Sequence, residues 1–357
     1  MHSAQSQMQA VEGSTINMLQ VLLLLLALAA YGQCEFDTLS QEFFDYIESL
    51  NTTWKAGQNF PGKSIEDVKN LCGTLEPIPN DPLDPGFDSD PPLLDINALP
   101  SSFDCRSKWP QCTSIINMIG DQDDCGSCWA FGSSSAINDR HCIYKGQQLQ
   151  LSAQFLTTCC APAYGYNGCG GAQLSTAYDC WRRYGLPTGG QYGSNYGCQP
   201  YTIKDCSHAK SNDTLSVPDC HDKQTSYTPP CSTSCRSGYP YPMSKDKHYG
   251  YSYYRVPPNW AGIASEIYLR GSVTLTYKVY EDFVSYKSGV YKYTYGKFVG
   301  YHAVKVFGWG YEGNVPYWLV SNSWGASCGD HGFFKILRGY NNCGKSQMEW
   351  LEYPHTS

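Results

Sequence analysis

The segment DQDDCGSCWAFG (residues 121–132) constrains this chain most, because it places Cys128 directly before a predicted helix. Apolar and small residues follow Cys128, and Gly146 ends the pattern. Unpaired N–H groups at a helix N-terminus stabilise a thiolate. The side-chain amide of Gln122 can donate to a developing oxyanion. The segment therefore predicts a nucleophilic thiol; the alternative is one more structural cysteine among 18.

Two polar residues farther along the chain complete a catalytic pattern. His302 precedes an apolar, strand-like run, and Asn322 follows another. A thiolate catalyst needs an imidazole that pairs with its sulfur and protonates the leaving amine. The imidazole needs a third group to fix its tautomer, and an amide oxygen can do this. Trp324 stands beside the pair and would shield it from water.

These motifs resemble the papain superfamily of cysteine peptidases, and within it the cathepsin B-like group, over nearly the whole chain. Matching stretches include LNTTWKAGQNF, LPSSFDCRSKWPQC, DKHYGY, YWLVSNSW and GFFKILRG. The Cys-Gly-Ser-Cys-Trp run is the local signature of such enzymes. The resemblance implies that Cys128 is the nucleophile and His302 the acid/base. It likewise implies that Asn322 orients the imidazole and that Gln122 is the oxyanion donor. A catalytically silent scaffold and an acyl-transfer ligase are the alternatives to a peptidase.

Composition bears on partners and compartment. A net charge of −7 argues against nucleic acid as a partner and provides no basic patch for a membrane. The apolar run at residues 21–30 is too short to span a bilayer and predicts a signal peptide over residues 1–32, or one starting at Met18. Eighteen cysteines in a secretory chain predict a disulfide framework. Because the cysteines lack zinc spacing, we expect no metal and no cofactor.

The segment after the predicted signal peptide carries helix signals. Thr38 and Gln41 have the spacing of a capping box. Apolar side chains at spacings of three and four would share one helix face: Phe43, Ile47, Leu50 and Trp54. The pattern predicts a helix within residues 38–60. Residues 81–100 are acidic and rich in proline, which predicts an extended linker.

The resemblance implies how these segments are organised. Residues 33–98 would be a propeptide whose helix docks on the enzyme and whose tail crosses the cleft before it is cut near Leu99. Residues 99–357 would be the peptidase domain, in which residues 273–337 alternate like strands. The expected fold is α+β and papain-like, with a helical lobe, a β-barrel-like lobe and the active site between them.

An insertion separates the nucleophile from the predicted base. Papain-type sequences place the histidine roughly 130–150 residues after the cysteine, and His302 lies beyond that spacing. The excess falls at about residues 198–235, rich in Cys, Pro and Ser. The resemblance identifies this stretch as an occluding loop, which in cathepsin B-like enzymes permits removal of C-terminal dipeptides.

The occluding loop departs from the family where it would bind the substrate's terminal carboxylate. The family has two adjacent histidines there, whereas this chain has His208 followed by Ala209. The resemblance implies that His208 pairs with Asp121 and latches the loop. Loss of the second histidine predicts weakened dipeptide removal and mainly endopeptidase activity, unless His221 or Lys210 takes its place.

Substrate-binding residues follow from the same resemblance. Gly170 and Gly171 match glycines whose missing side chains let substrate backbone approach. The acidic residue that admits arginine at P2, the second residue before the scissile bond, is replaced by Met348, which favours Phe or Leu. A one-residue slip would place Glu349 there instead. Residues beside the predicted catalytic pair complete the set: Ala303 and Trp324.

Asp123 and Asp124 are a further departure, because the family usually has Gly-Ser at these positions. Two carboxylates near the cleft could favour cationic substrate residues. Alternatively, they could raise the pKa of His302 and steady its ion pair with the thiolate. A solvated loop tip explains them equally well, and the sequence leaves the three alternatives open.

Family pairing implies five disulfides: Cys112–Cys142, Cys125–Cys169, Cys159–Cys231, Cys198–Cys235 and Cys206–Cys220. The family partner of Cys160 would fall at Tyr164, so that bridge is missing or rewired. Cys343 is expected to remain a free thiol. Asn51 and Asn212 begin glycosylation sequons.

The resemblance also implies partners and location. Substrates would be proteins and peptides, and the enzyme's own propeptide and cystatin-type proteins would inhibit it. A monomer is expected. The signal peptide directs the chain to the secretory pathway, and from there to a lysosome or vacuole or out of the cell.

Overall fold

A computed structural model describes residues 36–76, 78, 81–83, 94–204 and 227–339. One compact unit, Met1–Asp37, contributes only its last two residues to this set; the other unit is Thr38–Ser357. Several predicted features lie outside the described residues: the signal peptide, the Cys206–Cys220 bridge, His208, Ala209, Met348 and Cys343. Among the residues that the structure describes, no helix has both the length and the apolar character needed to span a bilayer.

The α-helices of the described residues lie before residue 271 and the five longer strands lie after it, whereas two short strands lie among the helices; this is an α+β arrangement. The helices of the described part are α1 (Gln41–Ser49), α2 (Ile65–Leu71), α3 (Cys105–Lys108), α4 (Thr113–Ile116), α5 (Cys128–Lys145), α6 (Ala153–Phe155), α7 (Ala161–Ala163), α8 (Leu174–Tyr184) and α9 (Trp260–Arg270). The strands are β1 (Trp54–Ala56), β2 (Phe103–Asp104), β3 (Val273–Tyr280), β4 (Tyr286–Tyr291), β5 (Phe298–Glu312), β6 (Val315–Ser321) and β7 (Phe333–Leu337).

Helix α1 is shorter than the apolar spacing suggested. Its N-cap is Ser40, whose hydroxyl accepts from Phe43 N at 3.2 Å, so the expected Thr38/Gln41 capping box is wrong. Phe43 and Ile47 are buried on one face, as predicted. Leu50, by contrast, is the C-cap and 45% exposed.

Trp54 also does not lie on that helix face, although its spacing predicts it there, because the chain turns before Trp54. Asn51 has φ +49°, a left-handed conformation that asparagine tolerates better than most residues. Trp54 therefore begins β1, which pairs antiparallel with β4 through Trp54 and Gly289. The N-terminal segment thus adds a strand to the edge of the main sheet.

The strands form one seven-stranded sheet in the order β1-β4-β7-β6-β5-β2, with β3 also paired to β5. Among the pairs of strands named here, β4–β7 is parallel and the others are antiparallel. The strands predicted over residues 273–337 are confirmed. Long strand β5 carries His302, and Asn322 follows the end of neighbouring strand β6.

Helix α5 is the central helix of the other lobe. It begins at Cys128 and ends at Gly146, whose φ of +68° is the left-handed conformation of a helix C-cap, so this prediction is confirmed. Asp139 of α5 and Lys305 of β5 form a buried ion pair at 3.0 Å. Lys305 Nζ also donates to the Ile116 carbonyl oxygen at 2.9 Å. These contacts tie the helix that carries Cys128 to the strand that carries His302.

Four of the implied disulfides are confirmed: Cys112–Cys142, Cys125–Cys169, Cys159–Cys231 and Cys198–Cys235. Cys160 pairs with Cys180 of α8, so its bridge is rewired. The free thiols of the described residues are Cys72, Cys105, Cys128 and Cys328. The Cys125–Cys169 bridge joins the segment just before Cys128 to the segment that carries Gly170 and Gly171.

Candidate active site

Cys128 is the first residue of α5 and is fully buried. Its Sγ lies 3.2 Å from Thr74 Oγ1, a residue of the N-terminal segment. Ser127, the residue before it, exchanges a hydrogen bond of 2.9 Å with the Tyr201 hydroxyl. Burial is the main reason that the pKa of the Cys128 thiol is raised, and the Thr74 hydrogen bond opposes that effect.

His302 and Asn322 meet as the sequence predicted. His302 Nε2 lies 2.7 Å from Asn322 Oδ1, and both side chains are buried. The amide oxygen is an acceptor, so Nε2 carries the proton and Nδ1 is free to face a thiol. The Trp324 ring lies 4.5 Å from the imidazole and shields it. Burial lowers the pKa of His302 to about 4, and the Asn322 hydrogen bond partly offsets this.

Gln122 presents its amide to the same space. Its Nε2 donates to the Leu71 carbonyl oxygen at 2.8 Å and to the Cys125 carbonyl oxygen at 2.7 Å. Its Oε1 accepts from Ser323 Oγ at 2.7 Å, which fixes the amide orientation. A peptide carbonyl from the N-terminal segment therefore occupies the predicted oxyanion position.

The N-terminal segment crosses the cleft between the lobes. Thr74 N donates to the Tyr301 carbonyl oxygen at 3.3 Å, and Leu75 N donates to the Ala172 carbonyl oxygen at 3.2 Å. Ala172 N in turn donates to the Gly73 carbonyl oxygen at 3.1 Å. A Cβ on Gly73 would collide with the backbone of Gly126, so only glycine permits this close approach.

The predicted substrate-binding residues fall at different places in the cleft. Gly171 has φ +103°, and a Cβ there would collide with the Gly73 carbonyl oxygen. Gly170 lies beside it, with Asn167 rather than the N-terminal segment as its neighbour. Ala303 is fully buried, next to Cys128. Trp324 packs between His302 and Phe60, whose ring lies 5.4 Å away.

The three aspartates before Cys128 have different surroundings. Asp121, the expected partner of His208, is exposed, and its Oδ1 accepts from Asp123 N at 3.0 Å. Asp123 has φ +51°. Asp124 is buried and forms an ion pair with Lys63 of the N-terminal segment. Asp124 is therefore not part of a solvated loop tip.

Sequence reasoning missed several residues of the site. Ser323 and Tyr201 hold Gln122: the Tyr201 hydroxyl donates to the Gln122 carbonyl oxygen at 2.9 Å. Ser323 adjoins Asn322 in the SNSW motif, a signal that could have identified it. Tyr201 and Thr74 carry no such signal, because they reach the site only through the tertiary fold.

Comparison with known proteins gives the family. Residues 99–352 match the model described as papain family cysteine protease, and residues 39–77 match the peptidase family C1 propeptide. A gut-specific cysteine proteinase of Caenorhabditis elegans is 48% identical over 251 residues, which cover 70% of this chain and 72% of that protein. Cathepsin B-like cysteine proteinase 5 of the same organism is 40% identical over 315 residues, 85% of this chain and 87% of that protein.

A solved structure agrees with these relatives. ProCathepsin B S9 from Trypanosoma congolense superposes with a TM-score of 0.71 at 32% sequence identity, covering 90% of this chain and 100% of that chain. That solved structure is a proenzyme, which agrees with the N-terminal segment found in the cleft of this chain. The chain belongs to the papain family of cysteine proteases, is cathepsin B-like, and carries the family's propeptide ahead of its protease domain.

Proposed function

We propose that this zymogen, once processed, hydrolyses peptide bonds through an acyl-enzyme on Cys128. Cys128 first gives its thiol proton to His302 Nδ1. The resulting thiolate attacks the substrate carbonyl carbon, and the oxyanion accepts hydrogen bonds from Gln122 Nε2 and the Cys128 N–H. His302 gives its Nδ1 proton to the departing amine as the C–N bond breaks. His302 then takes a proton from water, which attacks the thioester, releases the acid and restores the thiolate. Asn322 keeps the imidazole in place throughout.

One observation carries this proposal. The Leu71 carbonyl oxygen accepts a hydrogen bond of 2.8 Å from Gln122 Nε2, and the Leu71 backbone is also close enough to His302 to influence its pKa. A peptide carbonyl thus already contacts the proposed oxyanion donor beside the proposed base. A substrate carbonyl at the same place would meet the groups needed for acyl transfer.

The propeptide blocks this chemistry by covering the reacting groups. Burial raises the pKa of Cys128 and lowers that of His302 to about 4, so both are neutral near pH 7 in the closed form. An exposed histidine has a pKa of about 6.5, so His302 binds a proton more readily in the open form than in the closed form. Acidification from about pH 6.5 toward pH 4 therefore favours opening. We propose that cleavage near Leu99 then separates residues 33–98 from the enzyme.

We further propose mainly endopeptidase activity with an apolar P2 preference. This rests on two sequence positions: Ala209, where the family has a carboxylate-binding histidine, and Met348, where the family has the acidic residue that admits arginine at P2. A latch between His208 and Asp121 would still close the loop. Asp121 is exposed near Trp324, with which it forms an isolated backbone bridge, a position suited to such a latch.

Two matched peptides test this activity, one with a free C-terminus and one amidated. We expect acid-processed enzyme to make internal cuts in both, because Ala209 cannot bind a terminal carboxylate. In an Ala209→His variant, stepwise loss of C-terminal dipeptides should appear for the free acid only. Mass spectrometry of the products distinguishes internal cuts from the loss of C-terminal dipeptides. Dipeptide loss by the wild type would contradict the Ala209 argument, and no cleavage of either peptide would contradict the proposed hydrolysis.

The remaining proposals concern partners and location. We propose that the enzyme is a monomer, that cystatin-type proteins inhibit it by occupying the cleft, and that it is delivered to a lysosome or vacuole or secreted. The predicted signal peptide and the disulfides support the secretory route. Asn51, which begins a sequon, is exposed and accessible for glycosylation.

A further inference from the structure

Asp124 lies inside the loop that builds the proposed catalytic site. Gln122 precedes it by two residues, and Cys125 follows it directly, joined to Cys169 by a disulfide. Its carboxylate forms an ion pair with Lys63 of the propeptide, and the two side chains are only 10% and 15% exposed. The propeptide thus places a positive side chain against the loop that also carries the proposed oxyanion donor, Gln122.

Lys63 belongs to a short segment that covers one side of the cleft. Its backbone N–H donates to the Phe60 carbonyl oxygen at 3.2 Å. The Phe60 ring packs on Trp324 at 5.4 Å, and Trp324 covers His302 at 4.5 Å. Asn59 Oδ1 accepts from Gly329 N at 3.0 Å and anchors the start of the segment. Residues 59–63 therefore lie on the His302 and Trp324 side.

That side receives the substrate residues that follow the scissile bond. His302 gives its proton to the departing amine, so the C-terminal part of the substrate must leave next to His302 and Trp324. Residues 59–63 occupy this place in the zymogen. When the propeptide is cut and released, Lys63 leaves with it, and the space beside the Asp124 carboxylate opens to substrate.

We infer that Asp124 is a specificity-determining residue that binds a lysine or arginine side chain on the C-terminal side of the scissile bond, with Lys63 as its intramolecular stand-in. The inference rests on the proposed function, since it needs a processed peptidase. A partly buried carboxylate pairs with a cation more strongly than an exposed one, because water and salt screen it less. The two aspartates before Asp124 are less buried than Asp124 itself: Asp121 is exposed and Asp123 is half-buried.

The test uses processed enzyme and quenched fluorescent peptides that carry lysine or norleucine at each of the three positions after the scissile bond. We expect kcat/KM to favour lysine by about fivefold at one position, the scale of a single ion pair. Asp124→Asn should bring this ratio close to one. Asp123→Asn, which removes the adjacent carboxylate, is the matched control and should keep the preference.

Each other result overturns the inference. A wild-type enzyme without a lysine preference, or an Asp124→Asn enzyme that keeps it, would contradict the role of Asp124. If Asp124→Asn fails to mature, Asp124→Ser, which has the residue usual in the family, replaces it. Loss of cleavage of every peptide in both variants would show a structural role. Failure of the wild type to cleave any peptide would instead refute the proposed function.

Discussion

Cys128→Ala is expected to leave a folded proenzyme that neither matures nor cleaves peptides. The substitution removes the only atom that can form the thioester in the proposed mechanism, so kcat should fall by at least about 10⁴-fold. Propeptide contacts do not depend on the thiol alone, because Gln122 still binds the Leu71 carbonyl. Gel analysis of acid-treated protein and hydrolysis of a fluorogenic peptide measure the two effects.

The control for Cys128→Ala is a second buried thiol. Cys105 is free and fully buried, and it belongs to α3 rather than to the cleft. Cys105→Ala should mature and retain activity, and the melting temperature of Cys128→Ala should stay within about 4 °C of the wild type. Residual turnover by Cys128→Ala, or equal inactivation of both variants, would contradict the assignment of the nucleophile.

Gln122→Ala should lower kcat of the processed enzyme by about 10²- to 10³-fold, the usual cost of one lost oxyanion donor. The donor acts on charge that develops in the transition state, so KM should change much less than kcat. Ser323 Oγ donates to the side-chain amide oxygen of Gln122, and the Tyr201 hydroxyl donates to its backbone carbonyl oxygen, so the donor is preorganised. Steady-state kinetics with an active-site titration separate kcat from the amount of processed enzyme.

A second buried glutamine provides the comparison for Gln122→Ala. Gln173 Nε2 also donates to a propeptide carbonyl, that of Glu76, at 2.7 Å, but this carbonyl is not the one that Gln122 binds, which is that of Leu71. Gln173→Ala should cost far less in kcat. If the two variants lose kcat equally, or if Gln122→Ala changes only KM, Gln122 does not stabilise the oxyanion.

Local patterns were enough to predict much of this molecule. The helix after Cys128 ends at Gly146 because glycine adopts the left-handed C-cap without strain. Alternation over residues 273–337 located the strands, and so placed His302 on β5 and Asn322 directly after neighbouring β6. Such features depend on residues close in sequence and on strict side-chain periods, which a single sequence displays directly.

Other features depend on partners distant in sequence. Leu50 and Trp54 fit a helical period, but the turn at Asn51 and pairing with β4 decided their positions. The Cys160–Cys180 bridge follows from how α8 packs against the π-helical turn Leu156–Cys160. Periodicity does not report such contacts, because tertiary packing creates them.

The Lys63–Asp124 pair is the clearest case. The two residues are 61 positions apart, and each is ordinary in its own sequence context. The sequence therefore leaves three alternatives for Asp124: a subsite for cationic substrate residues, a carboxylate that raises the pKa of His302, and a solvated loop tip. Its burial against a propeptide lysine excludes the solvated loop and supports the cationic subsite.

Alkylation of Cys128 tests the central claim most directly, namely that one propeptide segment covers a reactive thiol. Proenzyme and processed enzyme are treated with iodoacetamide at pH 7, and mass spectrometry follows labelling of the Cys128 peptide, with the Cys105 peptide as internal reference. Since burial raises the thiol pKa in the proenzyme, processed enzyme should be labelled at least about tenfold faster, with activity lost in parallel. Equal labelling rates at Cys128, or loss of activity without labelling there, would contradict the account.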